Sequence, residues 1–258
     1  MKINSPETIF GLIGKKLSHS FSAVYFNEKF KREKLPLEYQ LFELKTIEEL
    51  PQLLRNHPAL RGFNVTIPYK ESMLPYLDEL DPLSAEIGVV NTIVVDPQTR
   101  RLKGYNTDIV GFTESIRSFI KDPTVCQKVL IVGNGASTKT VAFALRKFFG
   151  TQQITVLSRT RQPDTILYSE CTPSVLREHH LIINTTPLGM FPAVDAFPPL
   201  AYEALGPEHY LYDLIYNPPT TLFLQKGNQQ KCKTQNGLQM LHTQAEKSWE
   251  IWKKKFDF

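Results

Sequence analysis

The chain places a lysine directly after an apolar, strand-like run, in Asn64-Val65-Thr66-Ile67-Pro68-Tyr69-Lys70, and a carboxylate in Tyr105-Asn106-Thr107-Asp108. A lysine held near a carboxylate, with amides and hydroxyls around it, can pass a proton to or from a substrate oxygen. That is half of an alcohol dehydrogenation. The other half is a nicotinamide, and Leu130-Ile131-Val132-Gly133-Asn134-Gly135-Ala136-Ser137 is a glycine-rich strand-to-helix turn of the kind that holds one. Gly133 and Gly135 supply a tight turn and close backbone approach. The third glycine position of the dinucleotide fingerprint is Thr138, so the turn also reads as one serving helix–strand packing alone.

About 25 residues beyond Gly133, where an NAD-binding chain usually carries an acidic residue for the ribose, stands Ser158-Arg159-Thr160-Arg161. A guanidinium fork accepts a 2′-phosphate, so the local chemistry points to NADP; the plain alternative is an arginine on a surface loop. Ser18-His19-Ser20-Phe21-Ser22 lies between a strand and a helix, where hydroxyls beside free helix N–H groups suit a carboxylate or simply cap the helix. His19 is expected to order that turn, and His179-His180 to lie on the surface without ligating a metal. Asn184-Thr185-Thr186-Pro187 and Asp213-Leu214-Ile215-Tyr216-Asn217-Pro218 each end an expected strand, and open α/β sheets bind ligands at such ends.

The elements that must position these groups are legible in outline. Short strand-like and longer helix-like runs alternate, as in an α/β fold. Expected strands are Ile9–Ile13, Glu38–Leu44, Gly62–Thr66, Val89–Val95, Val129–Val132, Ile154–Leu157, Leu181–Thr185 and Tyr210–Leu214. Helices are expected over Ser22–Glu33, from a Thr46–Glu49 capping box to about Asn56, from Thr107 or Asp108 to about Ile120, and over Thr138–Phe149. Leu238, Leu241, Ala245, Trp249 and Trp252 follow helical spacing and predict a long terminal helix.

With 258 residues, two α/β domains are expected. The predicted substrate-binding and catalytic domain spans 1–110, completed by 237–258, and a Rossmann-like domain spans 111–236, with the active site in the cleft between them. The composition, 41% hydrophobic and 22% charged, excludes a disordered or fibrous chain. No apolar run spans a bilayer and Met1–Pro6 lacks the apolar core of a signal peptide, so a cytoplasmic protein is expected. Cys126, Cys171 and Cys232 are odd in number and far apart, which fits buried thiols rather than disulfides or a metal site. The net charge of +4 does not imply nucleic acid but suits small anionic ligands, and Lys253-Lys254-Lys255 reads as a solvated helix end.

Taken in this order, from Gly11 to about Trp252, the segments resemble shikimate dehydrogenase. The resemblance implies NADP-dependent interconversion of 3-dehydroshikimate and shikimate, a step of aromatic amino acid biosynthesis, with no metal. It implies that Ser20 and Ser22 hold the substrate carboxylate. Asn64, Thr66, Asn91, Asp108 and Gln244 meet ring hydroxyls, Tyr216 lines the substrate side, and Lys70 and Asp108 form the catalytic pair. Gly133, Gly135, Ala136, Ser158, Arg159 and Thr160 bind the cofactor, with Thr185, Met190 and Gly237 toward its nicotinamide end. Ala23, Phe26, the turn Gly133-Asn134-Gly135-Ala136, Ser158, Pro163 and Gln239 depart from the family pattern. Pro163 stands where many members carry a second arginine, a place Arg161 can fill. A quinate/shikimate dehydrogenase using NAD is the neighbouring alternative, and a non-catalytic NADP-sensing protein on the same fold is the alternative of another class. The expected partner is a small molecule, in a monomer or homodimer, and the length is expected to leave no room for a fused dehydratase.

Overall fold

The structure, a computed structural model, describes residues 8–17 and 20–257; Ser18 and His19 lie outside the described residues. The chain groups into two compact units, Met1–Thr107 with Ala245–Phe258, and Asp108–Gln244. Both are α/β, and each is built on one six-stranded sheet.

The first unit runs β1 (Thr8–Gly14), α1 (Phe21–Arg32), β2 (Leu37–Glu43), α2 (Leu50–Asn56), β3 (Leu60–Val65), α3 (Tyr69–Ser72), β4 (Glu79–Leu80), α4 (Pro82–Ile87), β5 (Thr92–Val95) and β6 (Leu102–Tyr105). Its sheet has the order β2-β1-β3-β5-β6-β4, parallel at β1–β2, β1–β3 and β4–β6 and antiparallel on both sides of β5. Strand alternation feeds two cores. Ile9 and Ile13 of β1 and Ile93 and Val95 of β5 enter a cluster with Leu50, Phe63, Tyr69 and Met73. Phe10 and Leu12 of β1 and Val94 of β5 enter the other, with Phe26, Phe30, Tyr39, Trp249 and Trp252. Both faces are therefore covered, which is why β1 reads as an apolar run rather than an alternation.

The second unit runs α5 (Asp108–Phe119), β7 (Lys128–Val132), α6 (Ala136–Phe149), β8 (Gln153–Ser158), β9 (Thr165–Leu167), α7 (Pro173–Glu178), β10 (Leu181–Asn184), β11 (Tyr210–Asp213), α8 (Leu222–Gln229) and β12 (Lys233–Gln235). Every pairing is parallel, in the order β12-β11-β10-β7-β8-β9. Numbered from β7, this is 3-2-1-4-5-6, the order of a doubly wound dinucleotide-binding sheet. The strand order reverses between β7 and β10. The carboxyl ends of those two strands, Val132 and Asn184, lie in register and flank the crevice where such sheets take their ligand.

The terminal helix α9 (Leu238–Phe256) begins in the second unit and carries Trp249 and Trp252 into the core of the first. Phe10 stacks on Trp252 with ring centroids 4.7 Å apart, and the indole N–H donates to Ile93 O at 3.0 Å. Gly62 makes this approach possible, because a Cβ there would lie 2.8 Å from Trp252 Cδ1 and 2.9 Å from Ile93 O. Lys253, Lys254 and Lys255 are exposed in its last turn.

Several sequence expectations need correction. The Thr46 capping box does not form: Ile47–Glu49 is a 3-10 turn, and the Thr46 hydroxyl bonds the Glu48 carboxylate instead of a backbone N–H. The strand expected over Val89–Val95 starts only at Thr92, since Val90 N–H is drawn to Lys70 O at 3.0 Å. His179 is not on the surface. It is buried, with Nδ1 2.6 Å from Val175 O and Nε2 2.9 Å from Thr155 Oγ1. A carbonyl only accepts, so Nδ1 carries the proton and Nε2 accepts from the threonine. Burial lowers the His179 pKa, and its bond to Val175 opposes that only in part. The three cysteines are buried free thiols that burial pushes up to about 11, as inert structural thiols should be. Among the described residues no helix is long and apolar enough to cross a membrane, and no group of three or more His, Cys, Asp and Glu could hold a metal ion.

Candidate active site

In the first unit the expected substrate residues gather at the carboxyl ends of β3 and β1 and around the start of β5. Asn64, near the end of β3, is buried and has both amide atoms engaged. Its Oδ1 accepts from Tyr39 Oη at 2.7 Å, and its Nδ2 faces Thr92 Oγ1 and Ser248 Oγ at 3.0 Å each. Asn91 Oδ1 accepts from Thr107 N–H at 2.7 Å, which fixes its amide so that Nδ2 donates to Thr107 Oγ1 at 3.0 Å. Ser248 Oγ closes the ring, 2.8 Å from Thr92 Oγ1 and 3.1 Å from Thr107 Oγ1. Ser22 bonds the Tyr39 hydroxyl, whose pKa is held well above its usual range by burial. Buried amide and hydroxyl groups joined in this way are rigid, so they present a fixed polar floor.

Around that floor, Ser20 is the N-cap of α1 and makes no side-chain cap bond. Its Oγ is buried without a hydrogen-bond partner, and the first turn of α1 carries no acidic residue. An orphaned hydroxyl beside free helix N–H groups is a fitting environment for a carboxylate. Thr66 is half-buried, its N–H on Ile13 O at 2.9 Å and its methyl against Gly14. Lys70 is half-buried in α3 and its carbonyl holds Val90, so its backbone is anchored to the segment that leads through Asn91 into β5. Ser248 belongs to none of the sequence motifs. It lies four residues before Trp252, a polar residue on the apolar face of α9, and that mismatch is the signal that could have found it.

Asp108 is the first residue of α5 in the second unit and is buried. The glycine turn lies between β7 and α6. Gly133 has φ +110°, and a Cβ on it would lie 2.7 Å from Thr185 Oγ1 and 2.9 Å from Thr186 Cγ2. Gly135 is the N-cap of α6, makes no side-chain cap bond, and has nothing within 4 Å of the point a Cβ would occupy. A 14-residue helix thus opens with its first N–H groups uncapped beside open space, which fits a dinucleotide pyrophosphate. Thr138 does not break the motif. Its Oγ1 lies 2.7 Å from Thr185 Oγ1, which donates in turn to Val132 O at 2.8 Å, so a hydroxyl pair replaces the usual glycine contact between helix and strand.

These contacts carry a prediction. Gly133→Ala combines an unfavourable φ with a clash and should lower stability by about 1–2 kcal/mol in denaturant unfolding. Gly135→Ala, with ordinary φ and open space, should leave the denaturation midpoint nearly unchanged while weakening NADP binding.

At the end of β8, Ser158 is buried and its Oγ accepts from Thr160 N–H at 3.3 Å, while Arg159 and Thr160 are exposed. Arg159 lines a cavity of about 340 Å³ with Leu167, Tyr168, Ser169, Leu188 and Pro199. Arg161 is engaged elsewhere, with its Nη2 2.6 Å from Glu170 Oε1. Ala136 and Tyr216 are half-buried and Met190 is exposed. Gly237 is buried against the Leu214 backbone and donates to Ile215 O at 3.0 Å. Gln244 is half-buried, with Nε2 on Leu241 O at 2.9 Å.

One buried carboxylate stands behind this edge of the sheet. Asp213 ends β11 and is fully buried, and burial raises its pKa to about 6 against the lowering effect of bonds from Thr221, Ile215 N–H and Asn184. A carboxyl whose native pKa lies above the usual value of about 3.9 is favoured when protonated, so its stabilising contribution is present at low pH and fades as pH rises from about 4 through 6. Stability of the unmodified chain relative to Asp213→Asn should therefore fall over that window by an amount on the order of 2 kcal/mol, measured by urea unfolding at several pH values.

A 3-2-1-4-5-6 parallel sheet with a glycine turn at its switch point, in a chain with a second α/β unit, is the architecture of the two-domain nucleotide-dependent dehydrogenases. The family model for the shikimate dehydrogenase substrate binding domain matches residues 12–93. A shikimate dehydrogenase (NADP(+)) of Carboxydothermus hydrogenoformans is 36% identical over 269 residues, 98% of this chain and 94% of its own. The solved shikimate 5-dehydrogenase of Thermus thermophilus, in complex with NADP(H) and shikimate, is 30% identical with a TM-score of 0.81, covering 96% of this chain and 94% of that one. That of Listeria monocytogenes, in complex with shikimate and NAD, is 27% identical with a TM-score of 0.82, over 98% and 94%. This chain belongs to the shikimate dehydrogenase family.

Proposed function

We propose that the chain catalyses the NADP-dependent, reversible reduction of 3-dehydroshikimate to shikimate. The observation that carries this reading is the buried amide–hydroxyl floor of Asn64, Asn91, Thr92, Thr107 and Ser248, which leads on one side through Val90 to the Lys70 backbone and on the other directly into Asp108. A substrate rich in hydroxyls and bearing one carboxylate matches that floor and the orphaned Ser20 hydroxyl. Ser20 and Ser22 are assigned to the carboxylate, and Asn64, Thr66, Asn91, Tyr216 and Gln244 to the ring side.

The nicotinamide, when bound, supplies or takes the hydride. Lys70 gives its proton to the ketone oxygen as negative charge develops there, and takes it back in the reverse direction. Asp108 orients the ammonium and accepts from a neighbouring ring hydroxyl. Gly133, Gly135 and Ala136 form the pyrophosphate turn, Ser158 supports Thr160, and Arg159 receives the 2′-phosphate. Thr185, Met190 and Gly237 shape the region beyond the turn. The protein is proposed to act in the cytoplasm, as a monomer or homodimer.

Use of NAD is the second reading, favoured by one observation: Arg161 is bonded to Glu170, which leaves Arg159 as the single arginine of that loop to select for the 2′-phosphate. Spectrophotometric rates with NADP and NAD, each against shikimate and quinate, test both. The expected result is a dominant NADP–shikimate rate. Equal rates with NAD would favour the second reading, a dominant quinate rate would replace the substrate, and no rate with any pair would overturn the assignment.

A further inference from the structure

We propose that Asp213, which no ligand can touch, is a positioning residue whose two carboxylate oxygens clamp the Thr185–Met190 segment against the glycine turn. The inference rests on the NADP reading above and extends it to a residue behind the site.

The two oxygens reach that segment by separate routes. Asn184 and Asp213 are paired in register as the last residues of neighbouring strands. Asn184 Nδ2 donates to Asp213 Oδ1 at 3.0 Å, and Ile215 N–H donates to the same oxygen at 3.1 Å. A carboxylate only accepts, so it forces Asn184 to turn its amide nitrogen inward and its Oδ1 outward. That oxygen then accepts from Thr186 twice, from N–H at 3.0 Å and from Oγ1 at 2.6 Å. Thr186 in turn faces Gly133 through its methyl and accepts from Leu188 N–H at 3.3 Å, and Leu188 is a wall of the Arg159 cavity. By the second route, Thr221 Oγ1 donates to Asp213 Oδ2 at 2.6 Å, and the Thr221 side chain lies against Gly189, whose φ is +98°. Asn184 and Asp213 are both fully buried, so neither is a binding residue, yet together they set where Thr185 to Leu188 stand.

A packing role alone would lower stability and leave ligand affinity unmoved, so affinity is the reading that separates the two. The experiment measures NADP Kd by calorimetry, thermal midpoint, and shikimate KM at saturating NADP, for the full chain and for Asp213→Ala, Asp213→Asn, Asn184→Ala and the Asn184→Ala/Asp213→Ala double variant. Asp213→Ala and Asn184→Ala should each weaken NADP about tenfold, equivalent to ~1.4 kcal/mol, with shikimate KM within about twofold. The double variant should bind no more than about twofold worse than Asp213→Ala, because Asn184 acts through the first of the two routes that Asp213→Ala already cuts. Asp213→Asn keeps an acceptor oxygen for Asn184 and Ile215 and should stay within about threefold of the unmodified chain. If Asp213→Ala does not fold, Thr186→Val breaks the same route one step outward and should weaken NADP as Asn184→Ala does. Unchanged NADP affinity in folded Asn184→Ala and Thr186→Val overturns the clamp, as does a shikimate KM that rises in step with the NADP Kd. Failure of the unmodified chain to bind NADP overturns the cofactor reading and the clamp with it.

Discussion

Lys70→Ala is expected to lower kcat by about 10²–10⁴-fold, the usual contribution of a positioned acid or base and equivalent to roughly 3–5 kcal/mol of barrier. The fold should survive, because the structural bond Lys70 makes at 3.0 Å to Val90 uses its backbone carbonyl, and the side chain is only half-buried. Asp108→Asn should cost a similar factor. It preserves shape at the first position of α5 while removing the charge to which the proposed mechanism assigns the orientation of the ammonium. The two residues are assigned to one proton transfer, so the double variant should lose far less than the product of the single losses. Steady-state kinetics with circular dichroism as the folding check decide the matter. A folded Lys70→Ala chain with near-normal kcat would remove lysine from the mechanism, and multiplicative losses would show that the pair does not act as a unit.

The parts of the fold that were legible in the sequence are those whose local chemistry and tertiary environment agree. The strands β1, β3, β7, β10 and β11 are buried on both faces and read as apolar runs, and the glycine turn was placed because strand, glycines and helix occur together. What escaped are short elements, at sheet edges and elsewhere: the four-residue strand β6 lies between β5 and β4, and the helices α3 and α8 have four and eight residues. The strands β4, β9 and β12 have two or three residues, pair on one side only, and leave no periodic trace. The helices α4 and α7 are six residues each, and their caps, Asp81 to Ser84 N–H and Thr172 to Val175 N–H, were present in the sequence without enough periodicity behind them to be read.

The candidate site divides in the same way. Residues whose type announces chemistry, such as Lys70, Asp108 and Arg159, stand out in a linear reading. Residues that act by holding others do not. Ser248 reaches the Asn64–Thr107 network from a helix more than 140 positions away, and Tyr39 reaches it from β2, with β1 between that strand and β3, so only the tertiary fold brings them in. His179 shows the converse. Two consecutive histidines looked like solvent-facing polar residues, but the backbone turns one of them inward onto Val175 and Thr155 while its neighbour stays exposed.

Arg159→Ala is expected to raise KM for NADP by about 10- to 100-fold and to leave KM for NAD and for shikimate nearly unchanged, on the conversion of about 1.4 kcal/mol per decade. Charge-assisted hydrogen bonds of a guanidinium to a phosphate contribute typically about 1.5–3 kcal/mol each, and NAD has no 2′-phosphate to lose them. The structure sharpens the part of Arg161. Its guanidinium is 2.6 Å from Glu170, and the other Glu170 oxygen accepts from Leu167 N–H at 2.7 Å, so the carboxylate is fixed and holds the arginine in a pair of its own. Arg161→Ala alone should therefore change KM for NADP by less than about threefold, a limit set by the small worth of an exposed ion pair. The double Arg159→Ala/Arg161→Ala variant separates the remaining cases. If it resembles Arg159→Ala, one arginine reads the phosphate; if it loses a further decade, Arg161 leaves Glu170 when NADP binds. An NADP preference that survives in the double variant would show that neither arginine reads the phosphate, and that the discriminating contacts come from other walls of the Arg159 cavity, where Tyr168 and Ser169 stand.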